Sequence, residues 1–342
     1  MAVNSQPNYT EYDFYWTRHT RTSGDDDVYY NRVSGSSSTR ALRDFHNLYV
    51  KKKLITSVSK RGDTLIDLAV GKGGDIPKWI SSKLKFVFGI DVSPDNIENR
   101  LDGVCARYLN YRKKFKNMPE ALFVIGDSSV NIRNTDAIFS DKGKKITRAV
   151  FGEGPKDAKQ LGDGVYKQYG IGEKGFDICS IQFAIHYMFE GPKSLHNLLR
   201  NVSETTKVGG YFIGTCYDGN TVFSMLEGKE INESIDVYQD EKKVWEVTKR
   251  YNSKTFSPDS SSLGYAIDVY QETINKSFRE YLVNFEYLDR IMENYGFVRI
   301  NIEKAKDIGL PGVSGSFRDL YSEMRREIER NPKSKNEYGT AL

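Results

Sequence analysis

The sequence predicts an α/β fold, a doubly wound and mostly parallel sheet with insertions. Three observations predict it. Apolar, β-branched runs of strand length alternate with helical stripes between residues 63 and 215. A glycine turn, Gly71-Lys72-Gly73-Gly74, follows the first run at once, and an aspartate closes each of the next two, Asp91 and Asp127. Strands that alternate with helices pair in parallel, with the helices covering both faces of the sheet.

Residues 1–40 are polar, with an acidic triplet at 25–27 and the run SGSSS at 34–38. Such a stretch cannot bury enough apolar area to order itself, so a flexible N-terminal arm is expected, followed by one domain over 41–342. Leu42, Phe45, Tyr49 and Leu54 share a helical stripe leading into the first strand, DTLIDLAV at 63–70. Ile76, Trp79 and Ile80 give a short helix, and KFVFGI at 85–90 a second strand. Ile97, Leu101, Val104, Tyr108, Tyr111 and Phe115 repeat in steps of four and three, which predicts one long helix over 95–115. Further strands are expected at 121–125, 176–181 and 211–215, with a helix carrying Leu195, Leu198, Leu199 and Val202 between the last two. A final helix is striped by Phe317, Leu320, Met324 and Ile328. Two stretches break this rhythm and read as insertions: 132–175, with eight glycines, and 227–262, charged and ending in SPDSSS.

Composition narrows the chemistry. The 342 residues are 38% hydrophobic and 28% charged, a globular mixture with material for a large core. No apolar run approaches the ~18 residues that cross a bilayer, and the first residues lack the basic and apolar parts of a secretion signal, so an intracellular protein without membrane contact is expected. A net charge of +4 requires any nucleic-acid site to be local. Three dispersed cysteines make neither a disulfide framework nor a paired metal motif, and four histidines without HExxH spacing disfavour a zinc hydrolase; no metal is expected.

The turn at 71–75 lies where backbone amides face a ligand across the carboxyl edge of an open sheet. Asp91, 20 residues beyond Gly71, stands where a carboxylate accepts ribose hydroxyls. The third position of a dinucleotide fingerprint is Ile76 rather than glycine, and the phosphate-loop motif is absent. S-adenosylmethionine therefore suits the frame better than NAD or ATP, because it carries an adenosine without phosphates. Asp127 can receive the adenine amino group, or can cap a helix through its side-chain oxygen. Taken alone, the glycines could serve only to pack strand against helix.

FDICSIQFAIHYMFE at 176–190 makes the reading specific. Together with NLYVK at 47–51, GKGGD at 71–75, DSS at 127–129 and EYLV at 280–283, it resembles, in order, the mRNA cap guanine-N7 methyltransferases, class I S-adenosylmethionine-dependent enzymes with a Rossmann-like sheet. The finer pattern resembles the methyltransferase portion of capping enzymes from large DNA viruses, where it is often fused to RNA triphosphatase and guanylyltransferase domains. The resemblance implies methyl transfer to N7 of the 5′ guanosine cap of mRNA, forming cap 0 and S-adenosylhomocysteine. It implies cofactor contacts by Lys51, Ala69, Gly71, Asp91, Asp127, Ser128, Gln182 and Tyr187, and cap contacts by Asn47, Phe183, His186, Tyr217 and Glu280. It also implies a location in the host cytoplasm or virion for a viral protein, or in the nucleus for a cellular one.

Guanine N7 carries its own lone pair, so no acid–base catalyst is expected; His186, Tyr187 and Glu280 would orient. The family usually has glycine at Ala69 and often proline at Tyr217. It closes with one more strand bearing a cap-contacting aromatic, so a missing strand or truncation is expected here. Lys51, Lys52, Lys53, Lys60 and Arg61, with Arg112, Lys113, Lys114 and Lys116, could line one groove for triphosphate and RNA, or form a solvated face. A methyltransferase acting on another substrate, and a non-catalytic scaffold or RNA-binding subunit, are the competing readings.

Overall fold

A computed structural model of the chain describes residues 39–272 and 274–339. All but the last two residues of the expected arm, 1–40, lie outside this range, as do Thr340, Ala341 and Leu342. The chain enters through a helical run of three parts: α1 (Arg40–Asp44), a π-helical turn (Phe45–Val50) and α2 (Lys51–Val58). Then follow β1 (Thr64–Asp67), α3 (Ile76–Ser81), β2 (Phe86–Asp91), α4 (Pro94–Glu98), α5 (Val104–Lys114) and β3 (Glu120–Ile125). The segment to the next strand carries α6 (Asp141–Val150), α7 (Ala158–Leu161) and α8 (Asp163–Tyr166). Next come β4 (Phe176–Gln182), a 3₁₀ turn (Ile185–Glu190), α9 (Pro192–Thr205) and β5 (Thr206–Thr215).

These five strands form one parallel sheet in the order β3-β2-β1-β4-β5. β1 and β2 are buried at every position, which is why they read as unbroken apolar runs rather than alternating ones. One face packs Phe86, Phe88, Phe151, Phe176, Leu195 and Leu199 among others; the opposite face packs Ile55, Trp79, Val104 and Tyr108. The chain reverses between β1 and β4, so the crevice of a doubly wound sheet opens at their carboxyl ends.

After β5, α10 (Gly219–Met225) leads into a second, antiparallel sheet in the order β6-β7-β8-β9: β6 (Ser234–Gln239), β7 (Lys242–Lys249), β8 (Ala266–Gln271) and β9 (Lys276–Tyr281). β8 and β9 lie beyond the 227–262 stretch. Val247, Ile267, Val269 and Leu282 pack with Val222 and Leu226 of α10. The chain ends in α11 (Phe285–Glu293), α12 (Ile302–Asp307), α13 (Phe317–Arg330) and a 3₁₀ turn (Pro332–Glu337).

The long helix expected over 95–115 is two. Asn99 Oδ1 accepts from the amides of Leu101 and Asp102, and Gly103 packs so tightly on the Asn99 backbone that a Cβ would lie 2.7 Å from it. That turn throws Leu101 outward, 88% exposed, although it fits the periodic stripe. The first strand is also shorter than 63–70, because Asp67 Oδ1 accepts from the Ala69 amide and turns the chain.

Candidate active site

Four side chains sit together along the carboxyl edge of the parallel sheet because adjacent strands end there: Asp91 on β2, Asp67 on β1 and Gln182 on β4, with Asp127 two residues past β3. The glycine turn after β1 closes around Asp91. Gly71 has φ 53°, a left-handed conformation that costs glycine little, and its amide donates to Asp91 Oδ2 at 2.7 Å. Asp91 Oδ1 accepts from the Ser93 amide and from Asn96 Nδ2. The carboxylate is thus buried and fixed in direction. Burial pushes its pKa up while these donors pull it back. A Cβ on Gly73 would lie 2.7 Å from Val104 Cγ2, so this glycine lets α5 pack against the turn.

Beneath the turn lies a buried ionic cluster. Asp75 meets Lys78 at 2.8 Å and Lys51 at 3.6 Å. Burial and the neighbouring Asp75 raise Asp67 to about 8. Asp67 was not singled out from the sequence, although a charged residue inside an apolar strand is the signal that could have found it. Lys72 is spent elsewhere, joining Asp95 and Asp102 at 2.8 Å each.

Asp127 caps no helix. Its Oδ1 accepts from the amide and hydroxyl of Ser129, 2.8 and 2.7 Å away, within a turn, so its alternative expected role as a helix cap is corrected. The Ser128 hydroxyl donates to the Leu68 carbonyl at 2.6 Å, bracing the β3 turn against β1. Ala69 directs its amide to Asp67. Gln182 is buried; its Oε1 accepts from Thr215 and its Nε2 donates to Ser180.

The second half of the site is aromatic and apolar. Phe183 has φ 56°, unusual for a residue with a Cβ, and its amide donates to Thr215 O at 2.9 Å. Such backbone strain, of order 1–3 kcal/mol, collects at functional sites. Its ring lies 4.9 Å from His46 and 5.9 Å from Phe317, and Lys51 Nζ is 5.7 Å from its centroid. Asn47 lies half-buried on the π-helical turn beside His46; π-turns are frequent at functional sites. Lys51 and Phe183 thus meet, although they are 132 residues apart in sequence.

His186 and Glu280 come together where the 3₁₀ turn packs on β9. His186 Nε2 lies 3.7 Å from Glu280 Oε1, with both side chains buried. Among the described residues neither ring nitrogen of His186 has a hydrogen-bond partner, nor has Glu280 Oε2. Burial lowers His186 to about 3 and raises Glu280 to about 8. Leaving buried polar atoms unsatisfied costs ~1–3 kcal/mol each, so this pair is arranged for a ligand that brings hydrogen-bond donors. The Tyr187 ring lies tilted against His186, their centroids 4.3 Å apart. Tyr217, half-buried and near Glu280, accepts from Gln271 Nε2 at 2.6 Å, and its ring sits 6.2 Å from Trp245. His46, Phe317, Gln271 and Trp245 were not read from the sequence as site residues because each meets the site through a neighbour distant in the chain.

The nine cations that could line one groove or form a solvated face do not all stand together. Lys52 and Lys53 pair with Glu337 and Glu327, and Arg112 with Glu120. Lys60 and Arg61 precede β1, and Lys113, Lys114 and Lys116 precede β3, which places them at the amino edge of the sheet, opposite Asp91.

Among the described residues no helix is long and apolar enough to cross a membrane and no metal-binding cluster occurs. Residues 27–340 match the family model of the mRNA (guanine-N(7))-methyltransferase domain. The chain is 29% identical over 272 residues to the probable mRNA-capping enzyme of Acanthamoeba polyphaga mimivirus, covering 78% of this chain and 21% of that protein. It is 33% identical over 195 residues to mRNA cap guanine-N(7) methyltransferase 1 of Arabidopsis thaliana, covering 55% and 43%. To the mRNA cap guanine-N(7) methyltransferase of Saccharomyces cerevisiae it is 28% identical over 257 residues, covering 75% and 50%. The chain thus spans between about a fifth and a half of the length of these relatives.

Proposed function

The chain belongs to the mRNA (guanine-N(7))-methyltransferase family, and on that premise we propose that it methylates N7 of the 5′ guanosine cap of mRNA with S-adenosylmethionine as donor. The observation that carries this reading is the buried His186–Glu280 pair, which holds unsatisfied polar atoms beside the edge that ends in Asp91. Guanine presents two adjacent donors on its Watson–Crick edge, N1–H and the 2-amino group. The Glu280 carboxylate can accept both, whereas adenine offers an acceptor at N1. A site that must leave a buried charge unpaired rejects the wrong base strongly.

S-adenosylmethionine fits the residues present. Asp91 is aimed by three donors to receive ribose hydroxyls, and Asp127 faces the same edge for the adenine amino group. Gly71 lets the backbone approach, while Ala69 and Ser128 shape the floor. Lys51, braced by Asp75, offers a positive charge to an amino acid's carboxylate, and Asp67, held neutral by burial in the free protein, can ionise against its ammonium, with Gln182 and Tyr187 at and after the end of β4. When bound, this cofactor supplies the methyl group as a sulfonium. Asn47, Phe183, His186, Tyr217 and Glu280 hold guanine so that the N7 lone pair points along the transfer direction. No residue needs to take a proton, so orientation and exclusion of water are the chain's contribution. Desolvation lowers His46 and His186, so both stay neutral at physiological pH and add no positive charge beside a cationic donor.

The viral relative's greater length supports an arrangement in which this unit works beside, or fused to, triphosphatase and guanylyltransferase activities, within a virus-encoded capping system acting in the host cytoplasm or virion. Supplying capped and uncapped RNA of the same sequence with labelled donor tests the function. Label is expected on capped RNA alone, and equal labelling of uncapped RNA would refute the assignment.

A further inference from the structure

Seven exposed cations, Lys60, Arg61, Lys83, Lys85, Lys113, Lys114 and Lys116, stand on one edge of the molecule, and backbone hydrogen bonds tie their segments side by side. The Gly62 amide donates to Lys83 O, the Lys85 amide to Asp63 O, and the Glu120 amide to Lys85 O. This is the amino edge of β1, β2 and β3, neighbours in the sheet. Their charges are only partly neutralised: Asp63, whose carboxylate accepts from the Lys60 amide at 2.6 Å, offsets one, none of the seven has an ion pair among the described residues, and the nearby Arg112 and Glu120 cancel each other. Seven cations less Asp63 still exceed the net +4 of the whole chain, so this edge concentrates the positive field. The negative end of a helix attracts cations, which accounts for Lys113 and Lys114 at the end of α5, but not for Lys60, Arg61, Lys83 or Lys85. Phe115, 45% exposed and stacked on Tyr111 at 6.0 Å, lies within the cluster. Cations interleaved with an exposed aromatic ring suit a single-stranded nucleic acid, whose phosphates and bases engage both.

We propose that this edge binds the body of the RNA substrate downstream of the cap. The inference rests on the cap-methyltransferase reading for the identity of the RNA. Six residues of β2, at ~3.3 Å each, separate the edge from Asp91 by about 20 Å. A bound segment of about 4–16 nucleotides, the usual length engaged by single-strand grooves, spans that distance. Cap analogues lacking an RNA chain should then ignore the edge.

The test compares the wild-type chain with the Lys83→Ala/Lys85→Ala/Lys113→Ala/Lys114→Ala variant, and independently with Lys60→Ala/Arg61→Ala. Donor affinity and melting temperature of each verify folding. The dinucleotide GpppG should be methylated with unchanged KM, whereas KM for a capped RNA of about 30 nucleotides should rise about fivefold or more. The slope of log affinity against log salt should flatten by about two to three for the quadruple variant, since each single-strand phosphate contact contributes about 0.7. Unchanged KM and salt slope for the long RNA in both folded variants would overturn the proposal and leave an acidic protein as the better partner for the edge. Fluorescence anisotropy of uncapped RNA needs no methyl transfer. If neither substrate is methylated but RNA binding still depends on these lysines, the cap reading fails and the RNA-binding edge stands.

Discussion

In the proposed reading Glu280 and His186 carry the specificity of the site, and their burial makes definite predictions. Replacing Glu280 with alanine removes two charge-assisted hydrogen bonds to guanine, each worth ~1.5–3 kcal/mol. Cap kcat/KM should fall about a hundredfold or more while the donor Kd, measured by calorimetry, stays the same. Glu280 titrates at about 8 in the free protein and must be ionised to accept from guanine. Cap kcat/KM, which reports free-enzyme pKa values, should therefore rise with pH up to about 8 and then level off. In Glu280→Gln that limb should disappear; a limb that persists in this variant assigns the ionisation to another group. Asp91→Ala should abolish donor binding without unfolding the protein, and circular dichroism with calorimetry separates the two. Asp91 and Asp127 were legible because each sits at or just after a strand end, a position that spacing alone fixes. The meeting of His186 with Glu280 was legible only through the family resemblance and not from spacing, since residues far apart along the chain reach 3.7 Å only through the packing of β9 on the 3₁₀ turn.

At the scale of elements, the parallel strands were readable because full burial turns them into apolar runs, and the last helix because its stripe faces one neighbour. The helix over 95–115 misled for the converse reason: periodicity cannot register a turn held by one asparagine side chain and one glycine. The antiparallel sheet alternates weakly and carries many charges, so β6 and β7 resembled an insertion. Yet this sheet delivers Glu280, Gln271 and Trp245 together, because Trp245 pairs with Gln271 and Ile267 with Glu280 across the ladder. Gln271→Leu should raise the KM for cap about three- to tenfold with donor affinity unchanged, the scale of one lost hydrogen bond. Tyr217→Phe should do the same, and the double variant no more. Full additivity would contradict a shared contact. In α13, Glu327 accepts from Tyr49, Lys53 and Tyr338 at 3.0, 2.7 and 3.0 Å, tying the last helix to the run that carries Asn47 and Lys51. Glu327→Ala should lower unfolding stability by about 2 kcal/mol, read from urea melts.

For the whole molecule, the buried groups that build the site also set how stability depends on pH. Asp67 and Glu280 have folded pKa values raised to about 8. Their contribution is fully present below their unfolded values and is lost as pH rises through the folded ones. His46 and His186, lowered to about 4 and 3, act in the opposite sense. Their contribution is present above about 6.5 and is lost as pH falls through the folded values. Between pH 6.5 and 8 only the two acids act among these four, so stability of the free protein should fall by about 1.4 kcal/mol per pH unit for each. Thermal melts across that window check it, and Glu280→Gln should fall less steeply than the wild type. The central claim is that one edge of the parallel sheet holds a nucleoside while the facing glutamate–histidine pocket holds a purine. A crystal structure with S-adenosylhomocysteine and GpppG tests it most directly. The account predicts ribose hydroxyls on Asp91 and the guanine Watson–Crick edge on Glu280, with N7 toward the sulfur; either ligand bound elsewhere, or guanine turned with N7 away, would contradict it.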